Sequence, residues 1–326
     1  MSDSSPLLSI VAPCYNEEEV LPDFHRRMAD ACRDMACSYE IILVNDGSTD
    51  ATWEIMKRLG KNESQLVAVK LSRNHGHQLA LSAGLTVSRG DRVLIIDADL
   101  QDPPELVKDM MKLMDEGAEV VYGQRRRRHG EPRLRLISIS LFYRMIERLS
   151  DTAIARDSGD FRLISRRVVR ILQTMPEQHR FLRGMIGWIG LEQKALLYDR
   201  DERFAGKTKY PFHKLWKLAS DAVTAFSVKP LRLASYFGLL SGIGSLLLLL
   251  YAVAGYFMEG TIQGWPSMMA AIALLGSMQL FMLGIIGEYL GRLCEQSKGR
   301  PLFVIEEVLR DGARCDPSAS PQRVGV

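Results

Sequence analysis

The sequence predicts an α/β fold with a mostly parallel sheet, followed by an interfacial helix and a two-helix transmembrane hairpin. Three observations predict it. Short, wholly apolar runs alternate with helix-like segments through the first half of the chain, the pattern of a parallel sheet covered by helices on both faces. Polar side chains cluster directly after those runs, where such sheets bind ligands. The stretch from Leu231 to Tyr289 is almost free of charge. Its apolar character is hidden in a composition that is 47% hydrophobic and 25% charged, ordinary for a globular protein.

The elements follow in order. Leu8 to Ala12 reads as a buried strand. Asn16 is placed to cap a helix whose first turn holds Glu17, Glu18 and Glu19, where carboxylates oppose the positive end of the dipole. Glu40 to Val44 is the second strand. It ends in the turn Asn45-Asp46-Gly47-Ser48, and Ser48 to Asp50 start a helix running to about Leu59. Leu66 to Leu71 is a third strand, with a helix from about Gln78 to Ser88. Arg92 to Ile96 is a fourth. Asp102-Pro103-Pro104-Glu105 reads as a capped helix start, with proline in the first turn. That helix ends near Gly117, and Glu119 to Tyr122 is a fifth strand.

Composition narrows the classes. The chain has 326 residues, which allows about two domains at roughly 150 residues each. A net charge of +3 argues against a nucleic-acid binder, which carries a strongly basic domain. The five cysteines form no Cys-x-x-Cys pair, so neither a disulfide framework nor a zinc knuckle is indicated, and reduced cytoplasmic thiols are expected. The N-terminus lacks the apolar segment of a signal peptide. No P-loop or Gly-x-Gly-x-x-Gly string occurs.

Four successive strand ends deliver polar groups: Pro13 to Glu17, Asn45-Asp46, Ser72-Arg73-Asn74, and Asp97-Ala98-Asp99. Together they point to one pocket. Turn and cap residues are the plain alternative for Asp46 and Asn74. That alternative is weaker for Asp97 and Asp99, whose spacing turns both carboxylates one way. Such a pair repels itself unless a cation sits between. Hard oxygen ligands of this kind suit Mg²⁺ or Mn²⁺ bridging to substrate phosphates. His75 and His77 flank Gly76 without a nearby Cys or carboxylate at ligand spacing, and read as capping or packing groups.

The strings Val11-Ala12-Pro13-Cys14-Tyr15-Asn16-Glu17-Glu18, Val44-Asn45-Asp46-Gly47-Ser48-Thr49-Asp50 and Asp97-Ala98-Asp99-Leu100-Gln101-Asp102-Pro103-Pro104 resemble the family 2 glycosyltransferases. More narrowly, they resemble the polyprenyl-phosphate group that contains dolichol-phosphate mannose synthase and bactoprenol glucosyltransferase. Later matches are Leu71 to Asn74, Asp157 to Leu163, Phe181 to Gly184 and Gly287 to Arg292. The likeness extends from about Leu8 to about Val308.

The resemblance implies an A-type nucleotide-sugar-binding fold and inverting transfer. It implies that Pro13, Tyr15, Asn16, Glu17, Asp46 and Arg73 hold the nucleotide sugar, with Asp97 near the ribose or diphosphate. Asp99 is then the main ligand of Mg²⁺ or Mn²⁺, with Asp97 beside it. Asp157 and Asp160 are candidates for a base; Asp157 is preferred, with Asp160 orienting or holding a partner. A phosphate monoester has its second pKa near ~6, so an acceptor phosphate needs little proton removal and the carboxylate can instead position it. Arg125 to Arg128 form a basic run at the carboxyl edge of the sheet. Arg125, Arg128 and Arg133 are read as a mobile loop receiving an acceptor phosphate, with Arg180 and Arg183 in reach. The plain alternative is a set of solvated charges.

Ser235 to Phe257 carries no charge and spans roughly 35 Å as a helix; Pro266 to Gly287 is a second such stretch. The link between them has no Lys or Arg, whereas Lys207 to Arg232 and Arg292 to Arg300 flank the hairpin with positive charge. Both termini are therefore expected in the cytoplasm, in an inner-membrane, multi-pass protein. Tyr210 to Ser227 is an amphipathic segment expected to lie on the leaflet. The divisions are 1–206 (catalytic), 207–232 (juxtamembrane), 233–290 (two spans) and 291–326, whose tail from Asp311 is expected to be disordered. Expected partners are a UDP-sugar, most simply UDP-glucose, polyprenyl (undecaprenyl) phosphate and membrane lipid. A homo-oligomer is left open. Rival readings are another sugar (formylated aminoarabinose, N-acetylglucosamine or mannose) or a non-catalytic membrane scaffold.

Overall fold

A computed structural model describes residues 6–125, 158–199, 229–259, 264–311 and 313–315. The chain divides into two compact units. The first is the α/β unit. Its first half runs β1 (Leu8–Cys14), α1 (Leu21–Asp34), β2 (Tyr39–Asn45), α2 (Thr52–Asn62), β3 (Leu66–Leu71), α3 (His77–Val87) and β4 (Arg92–Ile95). A 3-10 turn (Pro104–Leu106), α4 (Val107–Asp115) and β5 (Val120–Arg125) follow. Then come β6 (Ser158–Ser165), α5 (Arg166–Thr174), α6 (Leu182–Ile189) and β7 (Gln193–Tyr198). The second unit holds α7 (Lys229–Glu259) and α8 (Trp265–Ser297). Strands β8 (Ile305–Arg310) and β9 (Ala313–Cys315) belong to the first unit again.

Among the described residues the sheet has nine strands in the order β7-β5-β6-β4-β1-β2-β3-β8-β9. Its centre, β4-β1-β2-β3, is parallel, as the apolar runs predict. Every residue of β1 is buried, as a strand covered on both faces requires. The flanks turn antiparallel: β6 against β4 and β5, and β8 against β3. Chain order reverses at β1, which has β2 on one side and β4 on the other. That is the switch point where open α/β sheets form their binding crevice.

Helix α1 shows why these segments fold as they do. Leu21, Phe24, Met28 and Cys32 recur at helical spacing and are buried against the sheet, while Asp23, Arg26 and Arg27 face outward. Ser165 caps α5 by accepting the Val168 N–H at 3.3 Å.

Two expected caps are corrected. Helix α1 begins at Leu21, beyond Asn16, which sits in the left-handed region at φ 55°. The helix after Asp102 is preceded by a 3-10 turn with Pro103 at its cap. Asp102 is instead 1% exposed and accepts a hydrogen bond from the Tyr198 hydroxyl.

The C-terminal return was not legible as structure. Arg310 reaches across to the buried Glu40 at 2.7 Å, and Glu40 also accepts from the Ser9 hydroxyl at 2.6 Å and the Arg89 N–H at 2.7 Å. Lys70 pairs with Glu306 at 2.8 Å. These ties carry the chain past Asp311 into β9, so the expected disorder does not begin at Asp311; residues 316–326 lie outside the described residues.

In the second unit, α7 and α8 pack on each other, with Met282 Sδ 3.4 Å from where a Cβ on Gly238 would stand. Leu239, Tyr251, Leu274 and Leu280 are exposed on this pair. Among the described residues one stretch, Leu274–Ser297, is long and apolar enough to cross a membrane; Ala234–Leu247 is a shorter apolar helix. The juxtamembrane segment 207–228 lies outside the described residues.

Candidate active site

The crevice is built at the carboxyl ends of β1 to β4. Pro13 is buried in β1, opposite Val44 in the register with β2, and Tyr15 follows at 40% exposure. Asn16 clamps the first loop to the second: its amide oxygen accepts the Thr49 N–H at 2.9 Å, and its own N–H donates to Ser48 Oγ at 3.1 Å. The Glu17 N–H donates to Thr52 Oγ1 at 2.9 Å.

Asp46 is 2% exposed, and its two carboxylate oxygens accept the His75 N–H at 2.7 Å and the Gly76 N–H at 2.9 Å. It therefore ties the β2 end to the loop before α3. The two loops touch so closely that a Cβ on Gly47 (φ 66°) would stand 2.4 Å from the Asn74 nitrogen. Arg73 is exposed on this same loop.

Asp97 and Asp99 lie on the turn after β4. Asp99 Oδ1 accepts the Gln101 N–H at 3.2 Å. Asp97 Oδ1 is buried and has no hydrogen-bond partner; its nearest cation is His77, whose Nε2 stands 3.5 Å away. Burial raises the Asp97 pKa to about 6; His77 opposes the shift, while Asp160, Asp99 and Asp102 add to it.

Asp160, on β6, is the hub on the other side. His77 Nε2 lies 3.2 Å from Oδ2, Gln78 Nε2 donates to Oδ2 at 3.0 Å, and Arg183 donates to Oδ1 at 3.2 Å. Burial alone would raise its pKa. Arg183 and His77, with Arg162, override that and hold it well below the usual carboxylate range. His77 shows the reciprocal effect. Burial disfavours its charge, but the bond to Asp160 and the charges of Asp97 and Asp160 lift its pKa to about 9.

Gln78 also accepts the Leu182 N–H at 2.9 Å, so Asp160 and α3 together fix the start of α6. Arg183 lies over the Phe181 ring at 5.7 Å. Arg162 is 2% exposed, lies over Tyr122 at 5.9 Å, and burial beside Arg183 lowers its pKa to about 10.

The structure sorts the sequence candidates. Asp97, Asp160 and Arg183 come together. The Arg180 guanidinium instead donates to the Met175 carbonyl at 2.7 Å, within its own segment. Arg125 is the last residue of β5 rather than part of a loop beyond it. Burial opposes its charge, but a hydrogen bond to Tyr198 and the charges of Asp102, Tyr198 and Asp97 outweigh that and raise its pKa. Asp157, Arg128 and Arg133 lie outside the described residues. Sequence reasoning missed His77, Gln78, Asp102, Arg162 and Tyr198. His77 is corrected from a packing group to a bridge between two site carboxylates. The one signal for it was the Asn-His-Gly-His-Gln string at a strand end.

A divalent cation fits this donor set. The buried Asp97 oxygen has no hydrogen-bond partner, with His77 Nε2 3.5 Å away as its nearest positive group, and Asp99 shares its turn. Among the described residues no cluster of three or more metal-binding side chains exists. Mg²⁺ binds through one or two carboxylates and completes its shell with water and substrate phosphates, which matches a two-carboxylate site.

Comparison with known proteins agrees with this architecture. Residues 9–172 match the model of glycosyl transferase family 2, and residues 229–293 match the GtrB C-terminal hairpin. The chain is 41% identical over 300 residues to the uncharacterized glycosyltransferase YkcC of Bacillus subtilis strain 168, covering 92% of this chain and 93% of that one. It is 36% identical over 300 residues to the bactoprenol glucosyl transferase of Shigella phage SfV, covering 92% and 98%. A homologue of that enzyme from an Escherichia coli K12 prophage is 35% identical over 302 residues, covering 92% and 99%. Among solved structures, glucosyl-3-phosphoglycerate synthase of Mycobacterium tuberculosis in complex with Mn²⁺, UDP and phosphoglyceric acid gives a TM-score of 0.47. It is 22% identical and covers 67% of this chain and 76% of that one. With its strand-end crevice, its parallel central sheet and both family models matched along one chain, the protein belongs to the family 2 glycosyltransferases, has their A-type α/β fold, and carries a GtrB C-terminal hairpin at residues 229–293.

Proposed function

We propose that this glycosyltransferase moves glucose from UDP-glucose to polyprenyl phosphate, undecaprenyl phosphate in a bacterium, at the cytoplasmic face of the membrane. The observation that carries the reading is the likeness to bactoprenol glucosyl transferases over 92% of the chain, hairpin included. The charge-free stretches of the hairpin and the positive flanks support a membrane anchor with both termini cytoplasmic.

In this reading Pro13, Tyr15 and Glu17 border the nucleoside, and Asp46 shapes that wall by holding the His75–Gly76 backbone. Asp97 and Asp99 would hold Mg²⁺ or Mn²⁺, whose positive charge would offset the charge that builds on the departing diphosphate. A phosphate oxygen of the acceptor attacks the anomeric carbon from the face opposite the diphosphate. One C–O bond forms, the bond to the diphosphate oxygen breaks, and UDP leaves with the electron pair. Arg125 and Arg183 supply positive charge for the phosphates, in the charge-assisted contacts arginine favours. The test incubates purified full-length protein with undecaprenyl phosphate and a panel of nucleotide sugars, followed by mass spectrometry of the lipid. A glucosyl phospholipid formed from UDP-glucose is the expected product. Transfer to the free alcohol, or to no polyprenyl lipid, overturns the acceptor. Preference for another nucleotide sugar overturns the donor.

A further inference from the structure

The turn that carries Asp97 and Asp99 leads directly to Asp102, which is 1% exposed. A carboxylate at that depth needs a hydrogen-bonded partner. Its partner is the Tyr198 hydroxyl, which donates to Oδ1. Tyr198 ends β7 and is itself 4% exposed. Its ring meets Phe161 edge-on, with centroids 5.8 Å apart. Both rings use space left by Gly123: a Cβ there would stand 2.7 Å from Phe161 Cδ1 and 2.8 Å from Tyr198 Cε1. The ring is thus fixed by packing, and only its hydroxyl group is left for polar work.

The sheet register decides what that hydroxyl meets. In the parallel pairing of β5 with β7, Arg125 stands opposite Tyr198, and the charge of the guanidinium is favoured by the phenol beside it. The phenol thus stands between Asp102, to which it donates, and the arginine paired with it in the sheet. Arg125 Nε is buried and has no partner of its own. An arginine side chain carries much rotamer entropy, and fixing it before substrate arrives removes part of that cost from binding.

We propose that Tyr198 and Asp102 are positioning residues: the phenol, locked by Asp102, holds the Arg125 guanidinium beside the Asp97–Asp99 turn so that it receives the acceptor phosphate. This rests on the acceptor reading given above. Asp102 thereby couples two parts of the site, since the segment that presents the metal-binding carboxylates also sets the arginine.

The test is a double-mutant cycle on the full-length enzyme with Tyr198→Phe and Arg125→Ala. Phenylalanine keeps the ring against Gly123 and Phe161 and removes only the hydroxyl. Tyr198→Phe is expected to raise the acceptor KM about five- to tenfold, the worth of one ordinary hydrogen bond. The donor KM and thermal midpoint stay near those of the unmodified enzyme. Arg125→Ala raises the acceptor KM further, and adding Tyr198→Phe to it changes nothing more. A purely structural tyrosine would lower the thermal midpoint and multiply with Arg125→Ala; that additivity, or an effect confined to the donor KM, overturns the proposal. If Tyr198→Phe does not fold, Asp102→Asn is read in the same cycle with the same expected non-additivity. The unmodified enzyme separates this proposal from the one it rests on. If it transfers to no polyprenyl phosphate, the acceptor reading falls. The cycle is then read on calorimetric binding of inorganic phosphate, where equal losses in the Arg125→Ala single and double variants uphold the coupling and multiplying losses refute it.

Discussion

Replacing Asp97 with asparagine should make the metal-free enzyme more stable while abolishing turnover. Asp97 is held at a pKa of about 6 against an ordinary value of 3.8, first by burial and then by Asp160, Asp99 and Asp102. Because the folded-state pKa is raised, the stability it permits is complete below the unfolded value and is lost as pH rises through about 6. At pH 7 the charge is present and costs the fold. The shift corresponds to about 3 kcal/mol as a ceiling. The side chain keeps 32% of its exposure, so solvent screening reduces this to about 1–2 kcal/mol. Asparagine keeps the shape and removes the charge, so the thermal midpoint without metal should rise by about 2–6 °C. The assay is thermal unfolding of the full-length protein in detergent with chelator, followed by near-ultraviolet circular dichroism, at pH 5 and pH 7. The gain should be present at pH 7 and fade at pH 5. Adding Mg²⁺ should raise the midpoint of the unmodified protein and leave that of the variant nearly unmoved. An Asp97→Asn midpoint at or below the unmodified one at pH 7 without metal refutes the electrostatic account. A Mg²⁺ response equal in both proteins refutes Asp97 as a ligand.

Asp99→Asn should abolish turnover at saturating Mg²⁺ with little change in thermal midpoint, and full activity would remove Asp99 from the ligand set. Arg310→Ala should destabilise the catalytic unit by about 3 kcal/mol, the order expected when a buried pair loses one partner, and a midpoint unchanged in differential scanning would show the β8 return to be dispensable. In a cysteine-free background, Thr261→Cys should react with an impermeant thiol reagent on intact cells while Ser220→Cys should not. The reverse pattern would invert the orientation.

The parallel centre was legible because β1 to β4 are short apolar runs that are almost wholly buried, and because β1 to β3 join the next strand through a helix. The antiparallel flanks were not. β8 mixes apolar and charged side chains without a regular alternation, and its pairing with β3 spans most of the chain, so no local signal announces it. Caps failed for a related reason. Asn16 and Asp102 are good capping residues by type, but Thr49 and Tyr198 offer them tertiary partners, and those partners prevailed over local capping. Candidate site residues close to a strand end were found by motif. His77 was misread because its partner Asp160 is 83 residues further on, and a histidine's role is set by what faces it.

The two ends of the site treat their carboxylates in opposite ways, and the contrast bears on the reaction. Asp97 has an oxygen with no hydrogen-bond partner and a raised pKa; Asp160 has three donors and a pKa held far down. Groups pushed apart in this manner have different tasks. In the proposed reading a bound cation would relieve Asp97. Asp160 is already ionised and saturated, so it accepts a proton poorly and organises His77, Gln78 and Arg183 instead. A hydroxyl acceptor would need a base close to its own position and poised near the working pH. A phosphate acceptor is an anion before it binds and asks mainly for positive charge and alignment. Among the described residues the side facing Asp97 offers Arg183, Arg125 and a protonated His77, the provision an anionic nucleophile requires. The same electrostatics that disqualify Asp160 as a base therefore favour a phosphate over an alcohol as the group that attacks.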